Sequence, residues 1–478
     1  MNDRFFYLAL EGHFYSVLGR VPYSTKGLSQ MKLTIGFLVG IFALSAVASE
    51  SRFHPNNLFI KMKAGQTLVK SPLIKSSTQI FGNLYLVKTT DAVALQNSLK
   101  GSKSVVYTEK DFYAGREAMP KLEPMDPVSM KMKGLFDRQF ANFNDPEAGK
   151  LWAFTSANGM DVDGAYRSLP ARTANEVIVA VVDTGVDHNH EDLKAIMWEN
   201  RGEIRGDGKD NDGNGYIDDI HGINVLVRDS QGRATMDTMA GHWHGTHVSG
   251  TIAAAQNNGI GIAGVASNVR IMAIRTVPDS SDELNSDIVE AYTYAAKNGA
   301  KVINCSFGKA PMEGDNVVRD VINEIGKKYG VLVVASAGND SWGPFSWHDN
   351  DTDPKIPAAL DSANLITIAS TDSAGKLSSF SNIGAKTVDI ASPGSDIYST
   401  INGNKYAMAS GTSMASPNLS GVAAMVLGYY PHLKGEKLKE VLLASAVKVP
   451  AFEGKMVSGG RVNLKLALEK AARTPVRR

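Results

Sequence analysis

The sequence predicts an α/β chain whose main part is a doubly wound, mostly parallel sheet flanked by helices, preceded by a small α+β segment. Three observations carry this expectation. The runs EVIVAVVDTG, VRIMAIRTV, AKVINCSFG, VLVVASAGN and NLITIAS are too continuously apolar for a half-exposed antiparallel sheet and suit strands covered on both faces. Helix-like segments such as DELNSDIVEAYTYAAKNG and DNVVRDVINEIGKKYG lie between them, which is the alternation of a parallel sheet. All five tryptophans lie from Trp152 onward, as expected if the main core starts there.

Composition sets the outer limits. With 478 residues, 43% hydrophobic and 21% charged, the chain can bury a core and hold two or three domains, so disorder is not its default. A net charge of +1 leaves no electrostatic footprint for nucleic acid, and Arg473, Arg477 and Arg478 read as a solvated tail. Cys305 is the single cysteine, which excludes an intrachain disulfide but not export.

Taken in order, MKLTIGFLVGIFALSAVASES begins at Met31 with a basic Lys32, an apolar stretch from Leu33 to Leu44 and an Ala46-Val47-Ala48 exit. These are the parts of a secretory signal peptide. The run is too short for a membrane span and no cysteine follows the exit, so no stable membrane anchor is expected. Residues 1–48 are read as an upstream extension plus signal peptide, with translation starting at Met31 and a secreted product, extracellular or periplasmic. Within residues 49–112, LFIKMKAG, NLYLVKTT and SVVYTEKD are expected strands. TDAVALQNSLKG is an expected helix capped by Asp91 and stopped by Gly101. Residues 113–133, rich in Met, Pro and Lys, are an expected linker, and 134–478 the main domain.

Chemistry gathers at the carboxyl ends of strands in such sheets. AVVDTGVD ends an apolar run on Asp183, an acid either satisfied by its own turn or placed to orient another group. GHWHGTHVSG carries His242, His244 and His247. SGTSMASP, residues 410–417, opens a small-residue apolar helix. Its hydroxyls are either helix caps or a nucleophile, and Pro417 falls in or near the first turn. Nucleophilic catalysis needs a hydroxyl, an imidazole to take its proton and an acid to fix the imidazole tautomer. The order here is Asp, His, Ser, unlike that of α/β-hydrolases or chymotrypsin-like proteases.

VVDTGVD, HGTHVSGTIA, SAGN and GTSMASP together resemble the subtilisin-like serine proteases, the subtilase family, from Trp152 to about Leu468. The resemblance implies a subtilisin-like fold, Asp183 as orienting acid, His244 as general base, Ser413 as nucleophile and a structural His247. Asn339 resembles the oxyanion-hole asparagine, which would share developing charge with the Ser413 N–H. Ser306-Phe307-Gly308 resembles the segment that pairs with substrate backbone and walls the P1 pocket. Asp340 and Lys355 are expected near that pocket with opposite effects, and Ile356-Pro357 resembles a cis position. The implied protein is a monomeric endopeptidase acting on polypeptides through an acyl-enzyme, with residues 49–112 as an inhibitory prodomain that leaves by self-cleavage within 113–133.

Three rival readings have less support. A catalytically inactive peptide-binding relative would be expected to lose one of the four motifs, and all are intact. Zinc at His242, His244 and His247 lacks an accompanying Cys or carboxylate motif. HGTH argues against a sedolisin-like peptidase. Asn418 stands where many relatives carry histidine.

For calcium there are two candidate loops. In GDGKDNDGNGYIDD, Asp210, Asp212, Asn214 and Asp218 fall at positions 1, 3, 5 and 9 of an EF-hand-like spacing with Gly215 at 6, but His221 takes position 12. The loop is either a calcium site or a solvated turn. AAQNNGIGIAG resembles the family's calcium loop, which implies Asn258 by side chain, Gln256, Ile260 and Ile262 by carbonyls, and the acid Asp192. Bound Ca2+ is expected to be structural.

Overall fold

The computed structural model describes residues 7–10, 13–16, 53–114, 120–123, 140, 142–171, 173–279, 283–310, 315–343 and 346–475. Two units divide the chain, Met1–Ser51 and Arg52–Arg478. In the first, Tyr7–Leu10 pairs antiparallel with His13–Ser16. The expected signal segment, Met31 to Ala48, and most of the expected linker lie outside the described residues.

Strand Phe53–Met62 opens the second unit and alternates between two uses. Leu58 and Ile60 join Met62, Val87, Ala92 and Leu95 in a small core under helix Ala92–Ser98, while Phe59 faces the other way into the core of the larger domain. As expected, Asp91 caps that helix, accepting from the N–H groups of Val93 and Ala94 at 2.9 and 3.0 Å. Strands Leu84–Thr89 and Val105–Ala114 complete the expected set. Ile74–Phe81 is an additional edge strand whose middle residues are exposed, so its sequence IKSSTQIF shows no apolar alternation.

The main sheet has ten strands, in the order of first residues 234, 222, 269, 177, 302, 332, 365, 390, 460 and 447. Strands from 222 to 460 run parallel, and the two edge strands are antiparallel. From Val177–Asp183 the chain builds outward on one side, then returns to place Val302–Cys305 on the other. The crevice at the carboxyl ends of these two strands is the topological switch point. Helices Asn285–Lys297 and Asn316–Tyr329 cover one face, and His244–Ala253 and Thr412–Tyr429 the other. Asn316–Tyr329 buries Val317, Val318, Val321, Ile322 and Ile325 along one stripe and ends at Gly330, whose φ of +69° suits glycine. Every residue of Thr412–Tyr429 is buried, which matches its nearly uniform apolar, small-residue sequence. Among the described residues no helix is long and apolar enough to cross a membrane.

The front segment docks on this domain through hydrogen bonds as well as apolar surface. Asp111 accepts from the Ser286 N–H and Glu109 from the Asn316 N–H, each at 2.9 Å, so two helix starts each receive a carboxylate. Tyr107 donates to Asp320 at 2.9 Å. Tyr113–Ala114 pairs antiparallel with Glu283–Leu284, and Leu122–Glu123 with Met408–Ala409.

Candidate active site

Asp183 ends strand Val177–Asp183 at the switch point, and helix His244–Ala253 starts beside it. A Cβ on Gly245 would collide with the Gly185 carbonyl oxygen, so glycine is what allows this approach. His244 Nδ1 donates to Asp183 Oδ1 at 2.8 Å, and the Thr184 N–H donates to the same oxygen at 2.7 Å. The two side chains are 0% and 1% exposed, so water does not compete for the bond. With the proton held on Nδ1, Nε2 is the acceptor, and it makes no hydrogen bond among the described residues.

One turn later, burial lowers the pKa of His247 to about 3 and keeps it neutral. Its Nε2 donates to the carbonyls of Ile397 and Ala407 at 3.1 and 3.3 Å, tying the helix to the hairpin Ile397–Ile401 and Lys405–Ala409. His242, His244 and His247 form no metal-binding group among the described residues.

Ser413 is the second residue of Thr412–Tyr429, where a backbone N–H has no acceptor within the helix. None of the hydroxyls in SGTSMASP caps this helix, because Gly411 is the N-cap residue. Thr412 Oγ1 accepts from the Gly338 N–H and donates to Asn339 Oδ1, both at 3.1 Å. The Thr412 N–H reaches the same Asn339 oxygen at 2.8 Å. With two donors on Oδ1, the Asn339 amide has a defined direction and its NH2 is the end left for a ligand. Ser413 Oγ donates to the Ser306 carbonyl at 2.9 Å and not to His244. Pro417 lies in the second turn rather than the first, as the sixth residue of the helix.

Ser306, Phe307 and Gly308 follow strand Val302–Cys305 and are buried. The next residue, Lys309, exchanges backbone hydrogen bonds with Ile356 at 3.0 and 2.9 Å, and the Ile356–Pro357 bond is cis. Lys355 Nζ lies 3.2 Å from Asp340 Oδ2, so these two charges offset each other instead of acting separately. Asn418 is buried and donates to the carbonyls of Pro393 and Met414 at 3.0 and 3.3 Å, a role in joining helix to strand. Buried Cys305 lies 2.9 Å from the Tyr292 hydroxyl, and burial pushes its thiol well above the ordinary range, so it offers no thiolate.

In the acidic loop, Glu203, Asp210 and Asp212 bring one ligand oxygen each within 4.8 Å of one another. Glu203 was not foreseen because it lies ahead of the DNDGNG run that carries the spacing signal. Asp218 accepts from the Gly208 N–H at 3.0 Å and the Gly206 N–H at 2.6 Å, and Asn214 Oδ1 from the Tyr216 N–H at 2.9 Å. The converging carboxylates are engaged in the same way: Glu203 Oε1 accepts from the Asn211 N–H at 2.8 Å, Asp210 Oδ2 from the Gly215 N–H at 2.9 Å and Asp212 Oδ1 from the Asn214 N–H at 2.9 Å. Among the described residues these three carboxylates converge with no Lys or Arg ion pair, a ligand set that suits a hard divalent cation. The second loop is also bonded internally. Asp192 accepts from Asn258 Nδ2 at 2.8 Å and from the Ile262 N–H at 3.0 Å, while Asn258 Oδ1 accepts from the Ile260 N–H at 2.8 Å. Gln256 donates its amide to Tyr166 and the Gly264 carbonyl, both at 2.7 Å. The two side chains expected at a metal here, Asn258 and Asp192, are thus paired within the protein, as those of the acidic loop are.

The Subtilase family model matches residues 174–464. A thermophilic serine proteinase of Bacillus sp. (strain AK1) is 38% identical over 248 residues, covering 52% of this chain and 51% of that protein. A halolysin-like extracellular serine protease Nep of Natrialba magadii is 33% identical over 325 residues, covering 68% of this chain and 52% of that protein. The chain thus spans about half the length of these relatives. Among solved structures, a protease of Pseudoalteromonas arctica aligns with a TM-score of 0.53 at 28% identity, over 69% of this chain and 100% of that one. Fervidolysin of Fervidobacterium pennivorans, described as a keratinolytic enzyme related to subtilisin, shares the fold with a TM-score of 0.64 at 22% identity, over 90% of this chain and 62% of that one. With a doubly wound fold, an acid–imidazole pair at its switch point and a family match across more than half its length, the chain belongs to the subtilase family.

Proposed function

We propose that the chain is a secreted serine endopeptidase, made as a self-processing precursor, with Asp183, His244 and Ser413 as its triad. The observation that carries this is the buried Asp183–His244 bond, which leaves His244 Nε2 as a free base at the crevice where the Ser413 helix begins. In the reaction Ser413 Oγ turns from Ser306 to His244, gives up its proton to Nε2 and attacks the peptide carbonyl. Negative charge moving onto the carbonyl oxygen is met by Asn339 Nδ2 and the Ser413 N–H, while Asp183 stabilises the imidazolium. His244 then protonates the leaving amine, and water attacks the acyl-enzyme by the same path in reverse. Ser306, Phe307 and Gly308 hold the substrate backbone in this scheme.

Residues 49–112 are the proposed prodomain, acting as an intramolecular inhibitor of the 134–478 domain. Supporting a cut between Ala114 and Leu122, the flanks of that interval pair with Glu283–Leu284 on one side and with Met408–Ala409, next to the Ser413 helix, on the other. Structural Ca2+ is proposed at Glu203, Asp210 and Asp212, where it would neutralise the converging carboxylates and brace the loop without entering the reaction. Secretion is supported by relatives named as extracellular proteases. A peptide-library cleavage assay on wild type and Ser413→Ala tests the reading. Cleavage by wild type alone is expected, together with an Ser413→Ala precursor that stays uncut; a variant that still cleaves or processes itself would overturn it.

A further inference from the structure

Pro417 interrupts the bonding of the helix that carries the nucleophile. In an unbroken helix the N–H of residue 417 would bond the carbonyl four residues earlier, which belongs to Ser413; proline has no N–H to give. A buried carbonyl without a donor is costly, and Ser413 is only 5% exposed. The missing donor comes from outside the helix, because Ser306 Oγ donates to the Ser413 carbonyl at 3.0 Å.

The Ser306 hydroxyl is itself directed. Asn304 Nδ2 donates to Ser306 Oγ at 2.8 Å, which leaves the hydroxyl hydrogen for Ser413. Asn304 Oδ1 in turn accepts from Ser416 and Ser420 at 3.1 and 2.9 Å, residues one turn apart on the strand-facing side of the helix. Asn304, Ser306, Ser416 and Ser420 are all 0–1% exposed, so water does not replace any of these partners. Strand Val302–Cys305 and the segment after it thereby grip the first three turns of the helix, from Ser413 to Ser420.

We propose that Ser306 is a positioning residue: its hydroxyl, aimed by Asn304, replaces the helix hydrogen bond that Pro417 deletes and fixes Ser413 in its catalytic place. This rests on the reading of Ser413 as nucleophile, and it assigns the Ser306 side chain a task separate from any contact its backbone makes with substrate.

A double-mutant cycle separates this from a merely structural or substrate-contacting role, with kcat, KM and melting midpoint measured on full-length, self-processed wild type, Ser306→Ala, Pro417→Ala and the double variant. Ser306→Ala is expected to lower kcat about tenfold to a hundredfold with KM changed less than about threefold. In the Pro417→Ala background the new N–H of residue 417 bonds Ser413, so the same change is expected to cost less than about threefold, and its drop in melting midpoint to shrink as well. Equal losses in both backgrounds, or a loss confined to KM, would overturn the proposal. If wild type cleaves nothing, the functional reading fails by itself, and the melting cycle still decides the hydrogen-bond replacement. Should Ser306→Ala not accumulate, Ser306→Cys keeps the volume, offers a much weaker donor and is expected to show the same coupling.

Discussion

Docking of the proposed prodomain is expected to weaken as pH rises, through Glu109. This carboxylate is 3% exposed and lies at the start of helix Asn316–Tyr329; one oxygen meets the Asn316 N–H, and the other has no partner among the described residues. Burial pushes its carboxyl up from 4.5 to about 7, with the neighbouring Asp315 adding to the rise against the helix N–H groups of Asn316 and Val317. Because the docked value is the raised one, docking is strongest below the free carboxyl's range and its advantage is lost as pH passes through about 7. At about 1.4 kcal/mol per pH unit the full interval is worth about 3 kcal/mol, and between pH 5 and pH 8 it predicts about 70-fold weaker docking. Size-exclusion of the self-processed chain across that range measures how much prodomain stays bound. Wild type is expected to release it progressively toward pH 8, and Glu109→Gln to retain it with little pH dependence. Release that does not vary with pH, or that varies equally in Glu109→Gln, would refute the reasoning.

Three further outcomes are expected. Asn339→Ala should lower kcat by about 10²–10³ with KM nearly constant, a range measured for the equivalent donor in subtilisin and carried over within the family. Thr412→Val should cost less, about threefold to tenfold, because the Thr412 N–H still holds Asn339 Oδ1 at 2.8 Å; a larger loss than Asn339→Ala would show that Thr412 does more than orient that amide. Chelation should lower the melting midpoint by about 4 °C if the ion is present at roughly a hundred times its dissociation constant, and Glu203→Gln should abolish most of that difference; identical melts with and without chelator would remove calcium from the acidic loop.

What the sequence made legible follows from the range of the forces involved. Continuous apolar runs such as EVIVAVVD reported their own burial, so the parallel core could be read locally, and GTSMASP and HGTH marked the ends of strands and starts of helices. IKSSTQIF escaped because an exposed edge strand is held by backbone pairing and carries no apolar pattern. The hydrogen bonds that shape the site escaped for a different reason. Thr412 to Asn339 spans 73 positions and Ser306 to Ser413 spans 107, distances over which a single sequence gives no pairing signal. Glu203 is the intermediate case, since it reaches Asp212 from nine positions away, outside the spacing that identifies the loop.

On the proposed mechanism, the hydroxyls of SGTSMASP show why capping and catalysis are not the same use of a helix start. A Ser, Thr or Asp side chain at the N-cap would accept the N–H of the second or third helical residue, and here the second is Ser413. Such a cap would compete for the N–H that the proposed oxyanion hole uses. Gly411 at the N-cap has no side chain to do so, and its φ of 166° is extended backbone open to any residue, so its conformation does not explain the glycine. Tolerance of proline at 417 has a related cause: the donor it lacks is supplied by Ser306 from a neighbouring strand end. Thr412 turns its hydroxyl outward to orient Asn339 instead of inward to close the first turn. The helix thus gives up local bonds at its first two turns, and the strand ends around it restore what the proposed reaction does not use while leaving the Ser413 N–H available.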